Sequence, residues 1–364
     1  MKVRKLINVL HLWIGISAGL VISIVGLTGA IYVFAPEFQA APINDKIAVR
    51  QGQQPIDPYH IAVAAEQKYG RRLVSFQNQR RAEQYYTISL INPKLKIAIN
   101  PYTGKELEII KPDSGFWYWV LEIHTTLTVG EPGSWITGIC SLLLVLVLIS
   151  SGLYLWWPRN KAALKQRFKI KQKTSFKRKN YDLHNVGGFY VHFFIGLLAL
   201  TGACFTFQQL GPAIINFVTF STADQSATPA MKPYKGPERV PVLFSQIVKQ
   251  AKSVFPEYQL MHVYFSEDKD SPVVMTKVNH QWISAGKYIR TYTYLDRFTG
   301  KILFQEDPRK ADTGERLTDY YKRQIHYGEI GGWTTRIIAC LAGLSLPGLY
   351  VSGILIWLGR KKKK

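Results

Sequence analysis

The stretch LINVLHLWIGISAGLVISIVGLTGAIYVF, residues 6–34, decides the fold. It holds no Lys, Arg, Asp or Glu, and it exceeds the about 20 helical residues needed to cross a hydrocarbon core of about 30 Å. Its one side chain that titrates near neutral pH is His11. An imidazole in or beside hydrocarbon is costly to keep and marks a functional site by default. The basic start of the chain resembles a signal peptide, but the apolar run is far longer than the roughly 7–15 residues of such a segment. A retained helix is expected.

The same register returns later. Leu10-His11 is followed, 17 residues after the histidine, by Thr28-Gly29-Ala30, and Leu183-His184 is followed at the same spacing by Thr201-Gly202-Ala203. Three further stretches are apolar and long enough to span: Trp135–Trp157, Val186–Leu210 and Trp333–Leu358. Before the second, His124 precedes Gly130-Glu131-Pro132-Gly133. Before the fourth, His326 precedes Gly328-Glu329-Ile330-Gly331. The even spans end alike, with Ser151-Gly152 ahead of Trp156 and Ser352-Gly353 ahead of Trp357. The chain is therefore a duplication, and two spans per half make both halves enter the membrane in the same direction, the parallel type of repeat.

Charge gives the orientation. Of 46 Lys and Arg, 18 lie in three clusters: Lys2 to Lys5, the acid-free loop 158–180, and the tail Arg360–Lys364. All three flank one side of a four-span topology, so the positive-inside rule sets both termini in the cytoplasm of a bacterial inner-membrane protein. The clusters also suit contact with anionic lipid, with docking of an acidic donor as the minority reading. No motif supports nucleic-acid binding.

The stretches outside the spans read as α+β. Asp57–Tyr69 and Phe244–Ser253 look helical. Strand-like runs follow at Leu73–Gln77, Gln84–Ile91 and Leu95–Ile99, and again at Gln259–Phe265, Pro272–Val278 and Ile289–Leu295. The turns Pro101-Tyr102-Thr103-Gly104-Lys105 and Arg297-Phe298-Thr299-Gly300-Lys301 correspond. The expected organisation is a first span (1–35), an outer unit (36–115), an amphipathic segment with the second span (116–157) and a basic cytoplasmic loop (158–182). The second half repeats this as a third span (183–210), an outer unit (211–316), an amphipathic segment with the fourth span (317–358) and a basic tail (359–364). Cys140, Cys204 and Cys340 fall inside spans and read as small buried hydrophobes.

LHxWxG…TG in the first span, LHN…TG in the third, the xTGK turns outside and GxxxW on the even spans together resemble the PepSY-associated transmembrane family. That family includes iron-regulated inner-membrane proteins and siderophore ferric reductases. The resemblance implies a four-helix membrane core, two small PepSY-like periplasmic α+β units and, in the reductase branch, two haem b groups.

From the residues themselves, His11 with His184 and His124 with His326 are the expected axial pairs, one near each membrane surface. Haem held without covalent attachment needs ligands from facing helices, and two neutral imidazoles suit an electron carrier. There is no CxxCH to attach haem covalently. Gly15 and Gly187-Gly188, a turn beyond the inner histidines, would let a flat macrocycle approach. His192 has Gly19 as its repeat counterpart. Eight residues past His184, it lies about 12 Å deeper and reads as a supporting residue, with direct ligation as the alternative. His60, His262 and His280 read as surface residues of the outer units. Thr28-Gly29 and Thr201-Gly202 read as small-residue helix contacts. Trp117, Tyr118, Trp119, Tyr320 and Tyr321 read as an interfacial belt, as do Trp13, Trp156, Trp157 and Trp357.

No GxGxxG follows a strand, and P-loop and HExxH are absent, which argues against a Rossmann cofactor or peptide hydrolysis. The expected function is relay of electrons from an unidentified cytoplasmic donor, through the inner and then the outer haem, to an acceptor in the periplasm. The resemblance implies that this acceptor is ferric siderophore. Two rivals stay open: a quinol-linked or other haem b oxidoreductase, and a non-enzymatic module whose outer units bind peptide or a protease.

Overall fold

The computed structural model describes residues 2–78, 84–158, 160, 164–220, 240–268, 270–278, 290–307, 309 and 322–361. Its elements run α1 (Lys2–Tyr32), α2 (Ala35–Asn44), α3 (Pro58–Tyr69), β1 (Leu73–Gln77), β2 (Tyr86–Leu90), β3 (Leu95–Ile99), β4 (Glu106–Ile110), α4 (Phe116–Thr126), α5 (Glu131–Leu143), a π-helical segment (Leu144–Ile149) and α6 (Ser150–Trp156). They continue as α7 (Leu164–Arg167), α8 (Phe176–Thr206), α9 (Leu210–Thr219), α10 (Phe244–Gln250), β5 (Gln259–Phe265), β6 (Val273–Val278), β7 (Arg290–Leu295), β8 (Ile302–Glu306), α11 (Lys322–His326) and α12 (Gly332–Lys361). They gather into two units: Met1–Val33, Gly115–Phe220 and Tyr321–Lys364 form one, Phe34–Ser114 and Ser221–Tyr320 the other.

The first unit contains four helices long and apolar enough to cross a membrane, and this is a membrane protein. In the ring, α1 packs on α12, α12 on α8, α8 on α5 and α5 on α1. That leaves α1 opposite α8. Glycine brings the backbones close: a Cβ on Gly343 would stand 2.6 Å from the carbonyl oxygen of Gly26, and one on Gly138 would stand 2.8 Å from the side chain of Thr206. The centre is filled by Ala18, Ile22, Cys140, Leu144, Ile195 and Ala342. The starts of α1 and α8 and the ends of α6 and α12 share one end of the bundle, called the near end below. Both even spans break their α-helical ladder. The second does so with the π-helical segment Leu144–Ile149. The fourth has Pro347 inside α12, at the repeat position of Leu146. A π-bulge or an internal proline changes the phase of the turns that follow, and in both cases the Ser-Gly pair follows within five residues.

The second unit is one continuous antiparallel sheet in the order β4-β3-β2-β1-β5-β6-β7-β8. The two expected outer α+β units share this one sheet. The two halves join where β1 pairs with β5, with Ser75 opposite Tyr264, Phe76 opposite Val263 and Gln77 opposite His262. The two halves share a core of Phe76, Ile88, Ile97, Val263, Met275 and Leu295 under Ile61 of α3 and Ile247 of α10. Glu66 of α3 accepts from the backbone N–H of Phe244 at 2.6 Å and the hydroxyl of Ser245 at 2.6 Å, so one half caps the helix of the other.

The corresponding turns are built alike. Oδ1 of Asn100 accepts from the N–H groups of Tyr102 (2.9 Å) and Thr103 (3.2 Å), and Oδ1 of Asp296 does the same for Phe298 (2.9 Å) and Thr299 (2.8 Å). Gly104 and Gly300 take φ of +70° and +69°, the left-handed region that favours glycine. Strands β4 and β8 follow these turns. Lys277 is buried, and its ammonium donates to the carbonyls of Ala251, Val254 and Phe255 at 2.7, 2.6 and 2.7 Å, holding the chain just after α10.

Candidate cofactor site: two histidine pairs

All four expected histidines sit in the membrane unit, and they meet in the expected couples. His11 and His184 have ring centroids 6.3 Å apart at an interplanar angle of 90°. His124 and His326 have centroids 6.2 Å apart at 43°. The first pair hangs from α1 and α8, on opposite sides of the ring. The second comes from α4 and α11, the short helices ahead of the even spans.

Each imidazole is held by a notch on another helix of its own half. His11 Nδ1 bonds Oγ of Ser151 at 2.8 Å. His184 Nδ1 bonds Oγ of Ser352 at 2.9 Å and the carbonyl of Leu349 at 3.0 Å. His124 Nδ1 bonds the carbonyl of Val25 at 2.9 Å and Oγ1 of Thr28 at 3.4 Å. His326 Nδ1 bonds the carbonyl of Leu198 at 3.0 Å and Oγ1 of Thr201 at 3.0 Å.

The glycine after each hydroxyl residue supplies the space. A Cβ on Gly152, Gly353, Gly29 or Gly202 would stand 3.4, 3.3, 2.8 or 3.0 Å from Cε1 of the histidine it faces. One rule covers the four sites: the ring lies on a glycine and its Nδ1 faces a hydroxyl one residue before that glycine. At His124, His184 and His326 it also reaches the carbonyl four residues before the glycine.

This geometry fixes the tautomer. A carbonyl can only accept, so Nδ1 of His124, His184 and His326 carries the proton. At His11 the Ser151 hydroxyl, whose own proton goes to the carbonyl of Val147, accepts from Nδ1. Each Nε2 therefore presents a lone pair. Among the described residues, none of the four Nε2 atoms has a hydrogen bond. Burial holds the His124 and His326 imidazoles well below their usual pKa range, and for His326 the nearness of His124 adds to it. Both are therefore neutral at pH 7. Metal-bound histidines are oriented in this way, with the far ring nitrogen donating to a backbone carbonyl.

The spacing fits a shared metal. A nitrogen–metal bond of about 2 Å from each of two rings puts the centroids roughly 6 Å apart. Among the described residues, no three His, Cys, Asp or Glu side chains gather as a ligand set. Each couple offers two imidazole nitrogens, a donor pair that could hold a haem. Gly187, one turn beyond His184, has nothing within 4 Å of where a Cβ would stand. Along α1, His11 and the carbonyl of Val25 are 14 residues apart, as are His184 and the carbonyl of Leu198 along α8. The two pairs are thus separated by about 21 Å of helix axis.

Other expectations fare differently. His192 joins neither pair. Its Nδ1 donates to the carbonyl of Phe189 on its own helix, and its ring leans on Phe189, which stacks on Trp156 at 4.0 Å. His60 lies against Tyr59 and His262 bonds Oγ of Ser75 at 2.9 Å, both in the sheet unit; His280 lies outside the described residues, as do Tyr320 and Tyr321. Thr28-Gly29 and Thr201-Gly202 are more than helix contacts, because they receive the far histidines. Their matched spacing was the signal in the sequence. Sequence reasoning passed over Arg336, which is buried in α12, lies 4.6 Å from the Trp333 ring and donates to the carbonyl of Val33 at 2.5 Å.

The sequence model of the family described as the PepSY-associated TM region matches residues 9–360. The comparison with curated proteins gives no match.

Proposed function

Since the chain belongs to the PepSY-associated TM region family, we propose that it is a two-haem membrane oxidoreductase that reduces ferric siderophore. The near end, with the basic loop and both termini, faces the cytoplasm of a bacterial inner membrane. The sheet unit is read as two fused PepSY-like halves in the periplasm. In the net reaction, one electron from a cytoplasmic donor converts siderophore-bound Fe(III) to Fe(II) on the other side. Reduction weakens the hard, oxygen-ligated complex, and iron is freed.

The observation that carries this reading is the fourfold tautomer lock. Four Nε2 lone pairs are presented in two couples, with Nδ1 of His124, His184 and His326 donating to a carbonyl and that of His11 to the Ser151 hydroxyl. Bare acceptors held in apolar surroundings are costly, and a metal would satisfy both members of a couple at once. His11 and His184 would hold one haem b, His124 and His326 the other. Bound haem would supply one-electron chemistry at iron. The chain's own contribution is to fix the ring orientation through the notches, to raise imidazole basicity through the Nδ1–H bonds, and to separate the two sites by a packed apolar core.

The test is the reduced-minus-oxidised visible spectrum of the purified protein, followed by mixing of the reduced protein with a ferric siderophore. A b-type α-band that disappears on mixing is expected. A protein without an α-band ends the reading.

A further inference from the structure

At His124, His184 and His326 the hydroxyl in the notch is not needed to fix the tautomer, since a carbonyl already does that. Their own protons are committed elsewhere. Thr28 donates to the carbonyl of Ile24 at 2.7 Å, Thr201 to that of Leu197 at 2.8 Å, Ser352 to that of Leu349 at 2.9 Å, and Ser151 to that of Val147. What each oxygen turns to Nδ1 is therefore a lone pair, so the Nδ1–H of His124, His184 and His326 is shared between two acceptors, and that of His11 goes to Ser151. The sharing is unequal between the sites. The serine oxygens stand 2.8 and 2.9 Å from Nδ1 in the near pair, and the threonine oxygens 3.4 and 3.0 Å in the far pair.

We propose that Ser151 and Ser352, and more weakly Thr28 and Thr201, are positioning residues that set the electron affinity of the metal each histidine couple holds. The inference rests on the two-haem reading and adds a direction to it. A tighter acceptor on Nδ1–H gives the imidazole more negative character, and a more electron-rich ligand stabilises the oxidised metal. The near couple, with the closer hydroxyls, has the lower reduction potential and the far couple the higher. This order favours electrons moving from the near end to the far end.

Spectroelectrochemical titration of the purified, haem-loaded full chain tests it, with the two waves assigned by which one vanishes in His11→Ala and in His124→Ala. The lower wave belongs to the near couple. Ser151→Ala combined with Ser352→Ala shifts that wave to more positive potential and leaves the other in place. Ser352→Thr keeps a hydroxyl of the kind the far notches use, and it returns the wave toward its original position. Thr28→Val combined with Thr201→Val preserves shape and moves the upper wave alone, by a smaller amount. Waves unmoved by the serine variants, or a reversed assignment of the two waves, overturn the proposal while leaving the two-haem reading intact. A full chain that carries no haem overturns that reading, and this one with it.

Discussion

His11 and His184 hang from helices on opposite sides of a four-helix ring, and their rings meet with centroids 6.3 Å apart. Neither ring is held by its partner's helix. Ser151 holds the first, and Ser352 and Leu349 hold the second. Each half of the duplicated chain therefore builds one jaw of the clamp by itself, and the clamp exists only where the halves face each other.

Separate clamps should fail separately. His11→Ala is expected to lower haem content from two per chain to one, and His124→Ala to do the same with the other haem. Redox titration distinguishes the survivors. Loss of both haems in one variant and of none in the other would show that the pairs are wrongly assigned.

Gly29 and Gly202 are placed to be sensitive to a single methyl group. A Cβ there would stand 2.8 and 3.0 Å from Cε1 of His124 and His326. Gly29→Ala should weaken retention of the far haem by about 10- to 100-fold, the usual range for a disturbed outer-shell partner. The near haem should stay. Competition with apomyoglobin for haem measures both.

The spans were legible because nothing but a membrane helix explains runs such as 6–34, and the histidine couples were legible because the duplication repeats their spacing. The notches were half legible. Thr28-Gly29 and Thr201-Gly202 stood out in the sequence, but small residues in a span serve helix packing so often that their histidine partners could not be read from one chain. The joining of the outer halves was hidden for another reason. Strand alternation tells which face of β1 and β5 is buried but not which edge meets which, so the β1–β5 pairing has no local signature. The phase changes at Leu144–Ile149 and Pro347 show the same limit. Proline announces itself, whereas a π-helical segment in a run of leucine and valine does not.

Lys277 stabilises the sheet unit by donating to the carbonyls of Ala251, Val254 and Phe255, the last of which also accepts from the N–H of Tyr258 at 2.9 Å. Lys277→Met keeps the bulk and removes the donors. It is expected to lower stability on the order of 2–5 kcal/mol without changing haem content. A denaturant midpoint followed by tryptophan fluorescence, with haem counted before unfolding, checks both parts.

The acceptor decides between the proposed reductase and a quinol-linked cytochrome on the same scaffold. In stopped-flow mixing, ferric siderophore should oxidise the reduced protein at least about tenfold faster than a ubiquinone analogue, a margin of about 1.4 kcal/mol in barrier height. The reverse preference would move the assignment to the quinone class. His124→Ala should slow the siderophore reaction, because it removes a far ligand.

The most direct measurement is a count of haem b per polypeptide by the pyridine haemochromogen assay on the purified full chain. The account predicts two. A value near zero, from protein that is folded and monodisperse, would contradict it.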